Sequence, residues 1–136
     1  MIGASLRPAL LLLATLAVAC GASRKSLQSN DILARDRTYS VVSVKHILVG
    51  YEKNQGKEGD DLAAALLGRL RKGEPIEPLM REFSEDPGSA ASGEAYDVTP
   101  DSRYVPEFKA LALRLEVGEA GLVRSQFGWH VMKRVK

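Results

Sequence analysis

The sequence predicts an α+β domain at residues 41–136, with the element order β-α-α-β-α-β-β. Two strand-like runs near opposite ends of this region, 44–49 and 127–133, each set one histidine among β-branched and aromatic residues. Between these runs, apolar residues recur at helical spacing. Because a histidine in a mostly apolar strand needs hydrogen-bond partners, we expect His46 and His130 to meet.

The first strand is predicted at residues 41–49 from its alternating pattern. The period of two places four side chains on one face: Val42, Val44, His46 and Leu48. A polar, glycine-containing loop follows at residues 51–59. This strand therefore opens the predicted sheet and brings the first histidine to one of its faces.

Two helices follow this strand. The first is predicted at 60–72, where Asp60 or Asp61 can cap the N-terminus and Gly73 ends the helix. The second is predicted at 76–83. Each has one apolar side, formed by Leu62, Leu66 and Leu70 in the first helix and by Ile76, Leu79 and Phe83 in the second.

The rest of the domain contains one more helix and three short strands. A turn-rich loop at 84–93 leads into a strand at 94–98. Pro106 begins the third helix. Its apolar residues have helical spacing: Phe108, Leu111, Ala112 and Leu115. Two strands, at 122–125 and 129–135, close the predicted fold.

The N-terminal nineteen residues are typical of a signal peptide. Arg7 is the only charged residue among them, and residues 8–19 form an apolar run that is short for a membrane span. Small residues then precede Cys20, the only cysteine of the chain, as in a bacterial lipobox. We expect residues 1–19 to be removed and Cys20 to be lipidated. An ordinary secretory signal that leaves a free thiol is the alternative.

Residues 20–40 are predicted to form a flexible tether. The segment is polar and has little periodicity, and a short helix at 31–37 is the alternative. Gly21 replaces the aspartate that often signals retention in the inner membrane. We therefore expect the lipid anchor to lie at the periplasmic face of the bacterial outer membrane. The tether would hold the domain close to that surface.

Composition restricts the possible functions. The chain has 136 residues, of which 45% are hydrophobic and 26% are charged, and its formal net charge is +2. These values are typical of a globular domain. No basic cluster is interleaved with aromatic residues, so we expect no nucleic-acid partner. We expect a monomer.

Four motifs resemble those of the parvulin peptidyl-prolyl cis/trans isomerases, over about residues 44–136. They are Lys-His-Ile-Leu-Val at 45–49, Ile-Glu-Pro-Leu-Met-Arg-Glu-Phe-Ser-Glu-Asp-Pro-Gly-Ser at 76–89, Val-Pro-Glu-Phe-Lys-Ala-Leu-Ala-Leu at 105–113, and Val-Gly-Glu at 117–119 with Phe-Gly-Trp-His-Val-Met-Lys at 127–133. The resemblance implies a small antiparallel sheet with surrounding helices. It also implies rotation of X-Pro bonds in unfolded or exported polypeptides that contain proline, without a cofactor.

The resemblance assigns four polar residues to the reaction site. His46 and His130 match the two histidines that face each other across the parvulin sheet, and Ser125 matches the neighbouring hydroxyl position. These three residues would tune the site rather than transfer protons. Asp86 matches an acidic or thiol position close to the substrate carbonyl, where an anion favours the twisted amide. A turn-forming role before a proline is the alternative for Asp86.

The resemblance also assigns a pocket for the proline ring. Tyr104 and Phe108 would form its apolar floor and Phe127 its rim, although core packing is the alternative for Phe108. Ala95 is assigned to the pocket wall as well, where many parvulins have a leucine, and Tyr96 stands where they have a glycine. Tyr96 could therefore fill the gap or obstruct the groove.

Three functions remain after these observations. The first is a membrane-tethered prolyl isomerase that assists folding of exported proteins. The second is a parvulin-fold module that binds peptides or acts as a chaperone with little turnover, suggested by Ala95 and Tyr96. The third is a metal site of His46, His130 and Asp86, a set of two histidines and one carboxylate. Because no local ligand spacing supports it, we expect no metal.

Overall fold

The computed structural model describes residues 26–136, in which there are four helices and four strands. They are α1 (Asn30–Leu33), β1 (Val42–Gly50), α2 (Gly56–Arg71), α3 (Ile76–Phe83), β2 (Tyr96–Val98), α4 (Pro106–Ala112), β3 (Ala120–Ser125) and β4 (Gly128–Arg134). The predicted α+β class and the predicted order of elements from residue 41 onward are confirmed.

The four strands form one antiparallel sheet in the order β2-β1-β4-β3. The first and the last strand of the chain are thus neighbours at its centre. In their register, His46 lies opposite Met132 and Leu48 lies opposite His130. The two histidines are therefore diagonal neighbours on the same face of the sheet.

Helices cover both faces of the sheet. The face that carries the histidines packs on α1 and α4 through an apolar cluster that includes Ile32, Val42, Val44, Phe108, Leu111, Leu115, Val123 and Met132. The other face packs on α2 and α3 through a second cluster, which includes Ile47, Val49, Leu66, Leu79, Met80, Trp129 and Val131. Alternation along β1 and β4 divides the side chains between the two clusters.

The bounds of α3 are those predicted, whereas α2 begins earlier than predicted, at Gly56. Asp60 and Asp61 do not cap this helix, because it begins at Gly56 with Gln55 at the N-cap. The carboxylate of Asp60 instead accepts a hydrogen bond of 2.8 Å from the indole Nε1 of Trp129. The first turn is polar and contains two glycines, so it lacks the apolar periodicity that marks a helix. β3 begins two residues before its predicted start, at Ala120.

The structure corrects the tether prediction for residues 26–40. Ile32 in α1 is 1% exposed and packs in the cluster beneath α4. The backbone N–H of Ser29 donates to the carbonyl of Leu122 on the edge strand β3, at 2.9 Å. Arg35 forms two hydrogen bonds of 2.7 Å with the carboxylate of Glu119. This segment is part of the folded domain, and its helix at Asn30–Leu33 is shorter than the helix at 31–37 that was the alternative and begins one residue earlier.

The predicted signal peptide at 1–19 and the predicted lipidation site at Cys20 lie outside the described residues. Within residues 26–136, no helix is both long enough and apolar enough to cross a membrane.

Candidate active site

The two histidines lie together on the sheet. Their rings are stacked, with centroids 5.7 Å apart and an interplanar angle of 24°. Phe108 of α4 contacts both rings edge-on, at centroid distances of 5.1 Å from His46 and 5.5 Å from His130. Both imidazoles are 5% exposed. The first strand and the last strand thus bring the pair together, and α4 covers it.

Each histidine has one hydrogen-bonded ring nitrogen. The Nε2 of His46 lies 2.9 Å from Oδ2 of Asp86, and the Nε2 of His130 lies 2.6 Å from Oγ of Ser125. Ser125 also accepts a hydrogen bond of 3.2 Å from the backbone N–H of Phe127. Among the described residues, neither Nδ1 atom has a partner. The polar residues predicted for the site therefore form two separate pairs.

Asp86 lies on the loop between α3 and β2 and is held by four donors. Besides His46, the hydroxyls of Tyr96 and Ser89 donate to Oδ2, at 2.7 and 2.8 Å. The backbone N–H of Gly88 donates to Oδ1 at 3.2 Å. The hydrogen bond from His46, followed by those from the hydroxyls, holds the pKa of this carboxyl well below its usual range. Asp86 is therefore an anion at neutral pH.

His130 is neutral at neutral pH. Burial, together with repulsion from the neighbouring His46, lowers its pKa to about 4, although Asp86 acts in the opposite direction. The site therefore combines a neutral imidazole with a fixed anion. Within residues 26–136, no three histidine, cysteine or acidic side chains are grouped so that they could hold a metal ion.

A cavity of about 360 Å³ opens beside the histidines. Its walls are formed by His46, Leu48, Asp86, Tyr96, Arg103, Tyr104, Val105, Phe108, Phe127 and His130. The predicted pocket residues Tyr104, Phe108 and Phe127 are among them, and Phe127 at the rim is 53% exposed. Ser125 contacts His130 but does not line this cavity.

The prediction that Ala95 lines the pocket is wrong, because this residue is not in the cavity wall. Tyr96 lines the wall instead, and it pairs with Val44 of β1, on the face of the sheet that carries His46. Ala95 precedes the first paired residue of β2, so the strand register does not bring it to this face. The sequence analysis treated Tyr96 only as a departure from the family pattern. Tyr96 lies two residues before buried Val98 in the same strand, so the two side chains share a face. This spacing could have predicted that Tyr96 faces the site.

Two further residues of this region were missed. Arg103 lines the cavity, and no sequence pattern marked it. Ser89, which donates to Asp86, is fully buried within the turn-rich loop. A serine in such a loop is most often a turn former, so only the folded loop reveals this contact.

A family profile described as the PPIC-type PPIASE domain matches residues 31–136. The chain belongs to this family, the parvulins. This parvulin is 37% identical over 92 residues to the Chaperone SurA of Chromohalobacter salexigens, a match that covers 66% of this chain and 21% of the relative. The chain thus spans about a fifth of the length of that curated relative.

Solved structures of parvulins have the same fold. The peptidylprolyl isomerase PrsA from Bacillus cereus superposes with a TM-score of 0.59 at 34% identity, over 79% of this chain and 38% of that one. NmPin, the parvulin of Nitrosopumilus maritimus, superposes with a TM-score of 0.57 at 30% identity. That match covers 72% of this parvulin and 98% of NmPin.

Proposed function

We propose that this chain is a peptidyl-prolyl cis/trans isomerase that assists the folding of exported polypeptides. The observation that carries the proposal is the cavity itself. Its aromatic floor at Tyr104 and Phe108 lies beside the fixed anion of Asp86. Substrates are unfolded chains that contain proline, and the reaction makes and breaks no covalent bond.

The cavity suits the barrier that this reaction must overcome. Rotation about an X-Pro bond is slow because it disrupts the partial double bond of the amide, at a cost of about 18–20 kcal/mol. The planar amide is more polar than the twisted one, so transfer from water into an apolar cavity favours the twisted form. The rings of Tyr104 and Phe108, whose centroids are 5.1 Å apart, form a surface for the proline ring.

Asp86 supplies the electrostatic part of the mechanism. In the planar amide the carbonyl oxygen carries extra negative charge, and this charge decreases as the bond twists. A carboxylate held next to that oxygen opposes the planar form and so lowers the barrier. His46 and His130 support the site, since His46 orients the carboxylate and His130 is held by Ser125.

The N-terminal sequence supports a location in the bacterial cell envelope. Removal of residues 1–19 would leave Cys20 at the N-terminus for lipidation, and the anchor would hold the domain at the periplasmic face of the outer membrane. Exported polypeptides would meet the isomerase there before they fold.

The test is the isomerisation of an unphosphorylated X-Pro peptide by the full chain in detergent, measured by NMR exchange spectroscopy. We expect conversion faster than the spontaneous rate, and a loss of at least about tenfold in kcat/KM for Asp86→Asn. Exposed Glu82→Gln, which removes a carboxylate outside the cavity, is the matched control. A wild-type rate equal to the spontaneous rate would refute the proposal.

The alternative is a parvulin-fold module that binds peptides or acts as a chaperone with little turnover. The departures at Ala95 and Tyr96 favour it, as does the name of the SurA relative, a chaperone. Suppression of aggregation without isomerisation would support this alternative. So would a gain of isomerisation in the double variant Ala95→Leu/Tyr96→Gly.

A further inference from the structure

Tyr96 occupies a wall of the cavity that the parvulin pattern assigns to another residue. Its ring centroid lies 5.5 Å from that of His46 and 5.6 Å from that of Tyr104. Its hydroxyl donates to Oδ2 of Asp86 at 2.7 Å. One side chain thus contacts the histidine, the aromatic floor and the anion.

Three side chains donate to Oδ2 of Asp86, and they are not equivalent. Ser89 is fully buried and lies outside the cavity wall, whereas His46 and Tyr96 both line the cavity. Burial and the neighbouring Asp86 carboxylate raise the pKa of the Tyr96 phenol, so the hydroxyl keeps its proton and remains a donor. Tyr96 therefore fixes the carboxylate from the side on which a peptide would bind.

The loop that carries Asp86 is shaped around this hydroxyl. A Cβ atom on Gly88 would collide with the Tyr96 hydroxyl oxygen. Gly88 is not among the glycines with positive φ, so its backbone conformation does not itself require glycine. A side chain at this position would have to displace the Tyr96 hydroxyl, and the N–H of Gly88 in turn donates to Oδ1 of Asp86. Gly88, Asp86 and Tyr96 therefore fit together as one unit.

We propose that Tyr96 is a positioning residue of the isomerase site, which holds the Asp86 carboxylate through its hydroxyl and replaces the leucine wall of other parvulins with its ring. This inference rests on the isomerase function proposed above. A fixed charge is effective in catalysis because it does not have to reorient during the reaction. The tyrosine thus compensates for Ala95 rather than obstructing the groove.

The substitution Tyr96→Phe removes the hydroxyl and keeps the ring. We expect kcat for an unphosphorylated X-Pro peptide to fall about threefold to tenfold while KM changes little, because the wall remains and only the carboxylate is less well held. Tyr96→Ala removes the wall as well, so we expect KM to rise in addition. Both are measured by NMR exchange spectroscopy on the full chain in detergent.

A second readout separates positioning from a loss of structure. The Asp86 carboxyl pKa, followed by ¹³C NMR, should rise in Tyr96→Phe because one of its hydrogen-bond donors is lost. Tyr104→Phe is the matched control for this readout, since Tyr104 also places a phenol in the cavity wall but makes no hydrogen bond to Asp86. The other groups that face Asp86 are His46, Ser89 and the backbone of Gly88, with Arg103 in the same wall.

Gly88→Ala displaces the hydroxyl without removing it, which allows a double-mutant cycle. In the wild-type background, this substitution should reduce kcat about as much as Tyr96→Phe does. In the Tyr96→Phe background, Gly88→Ala should reduce kcat little further, because the colliding oxygen is gone. The new Cβ would then lie 3.6 Å from Cζ of the ring, an ordinary contact distance. Additive losses in kcat would contradict the proposed unit.

The outcomes distinguish this inference from the proposed function. A wild-type chain without isomerase activity would refute the function. An active wild type whose kcat and Asp86 pKa are unchanged by Tyr96→Phe would overturn the role of Tyr96 and leave the function standing. A gain of activity in Ala95→Leu/Tyr96→Gly would also overturn it, since we expect a loss there.

Discussion

At the residue scale, the candidate site depends on two titratable groups, one held ionised and the other held neutral. Asp86 stays ionised because four donors surround its carboxylate. His130 stays neutral because it is buried next to a second imidazole. An X-Pro amide needs no proton transfer in order to rotate, so a neutral imidazole beside a fixed anion suits the proposed reaction. In the proposed mechanism, the histidines shape the site and the aspartate acts on the substrate.

The buried imidazole predicts how stability depends on pH. A histidine in the unfolded chain has a pKa of about 6.5. The pKa of His130 in the folded chain is about 4, so between these values the unfolded chain binds more protons. The free energy of unfolding should therefore decrease as the pH falls through this window, by up to about 1.4 kcal/mol per pH unit.

Urea unfolding of the full chain at a series of pH values measures this slope. His130→Gln should flatten it between about pH 6.5 and pH 4, because the titrating group is removed. Asp86 contributes mainly at lower pH, because its pKa is lowered on folding and its contribution is lost as the pH falls from the ordinary carboxyl pKa toward the lowered value. Equal slopes for the variant and the wild type would contradict the assignment to His130.

At the element scale, the segment before β1 belongs to the fold. Ile32 in α1 is buried in the same cluster as Phe108, and Ser29 pairs with the edge strand β3. An uncovered strand edge is open to pairing with other chains. The segment covers part of that edge, and the side chain of Gln28 adds a further hydrogen bond to the backbone N–H of Arg124.

The substitution Ile32→Ala tests whether this segment contributes to stability. We expect the free energy of unfolding to fall by about 2–5 kcal/mol, as for other large apolar residues truncated in a core. Leu27→Ala is the matched control in the same segment, because Leu27 is 42% exposed and should change stability little. Urea unfolding monitored by circular dichroism measures both variants. Equal stability of Ile32→Ala and the wild type would show that α1 does not contribute to the core.

At the scale of the whole molecule, the domain is proposed to act next to a membrane. The described residues begin at Ser26, six residues after Cys20 in the sequence. A fully extended chain spans at most about 3.6 Å per residue, which limits the distance to an anchor at Cys20 to roughly 20 Å. A domain held so close to the outer membrane would meet exported polypeptides that reach its periplasmic face.

The lipid anchor is tested by Cys20→Ser in the full-length precursor, expressed in a Gram-negative host. We expect the wild type in the membrane fraction with an acylated N-terminal cysteine, identified by mass spectrometry. The variant should lose the acyl groups and leave the membrane fraction, because the acyl chains supply the membrane affinity. A wild-type protein recovered in the soluble fraction with a free thiol would indicate an ordinary secretory signal.

The sequence alone determined the elements with strong local periodicity. The alternation in β1 predicted the face that carries His46, and the spacing in α3 predicted both ends of that helix. It also determined the family, through motifs that lie in the right order along the chain. These properties were readable because each depends on residues that are close together in the sequence.

Only the tertiary structure decided which side chains form the cavity and how they are charged. Tyr96 lies in the wall because the pairing of β2 with β1 places it opposite Val44, on the face that carries His46, whereas Ala95 precedes the strand. The charge state of Asp86 depends on His46, which lies forty residues earlier in the chain. The segment around Ile32 joined the core through an apolar contact with α4 that its polar neighbours did not reveal. Register, burial and long-range hydrogen bonds arise only when distant parts of the chain meet, so no local pattern encodes them.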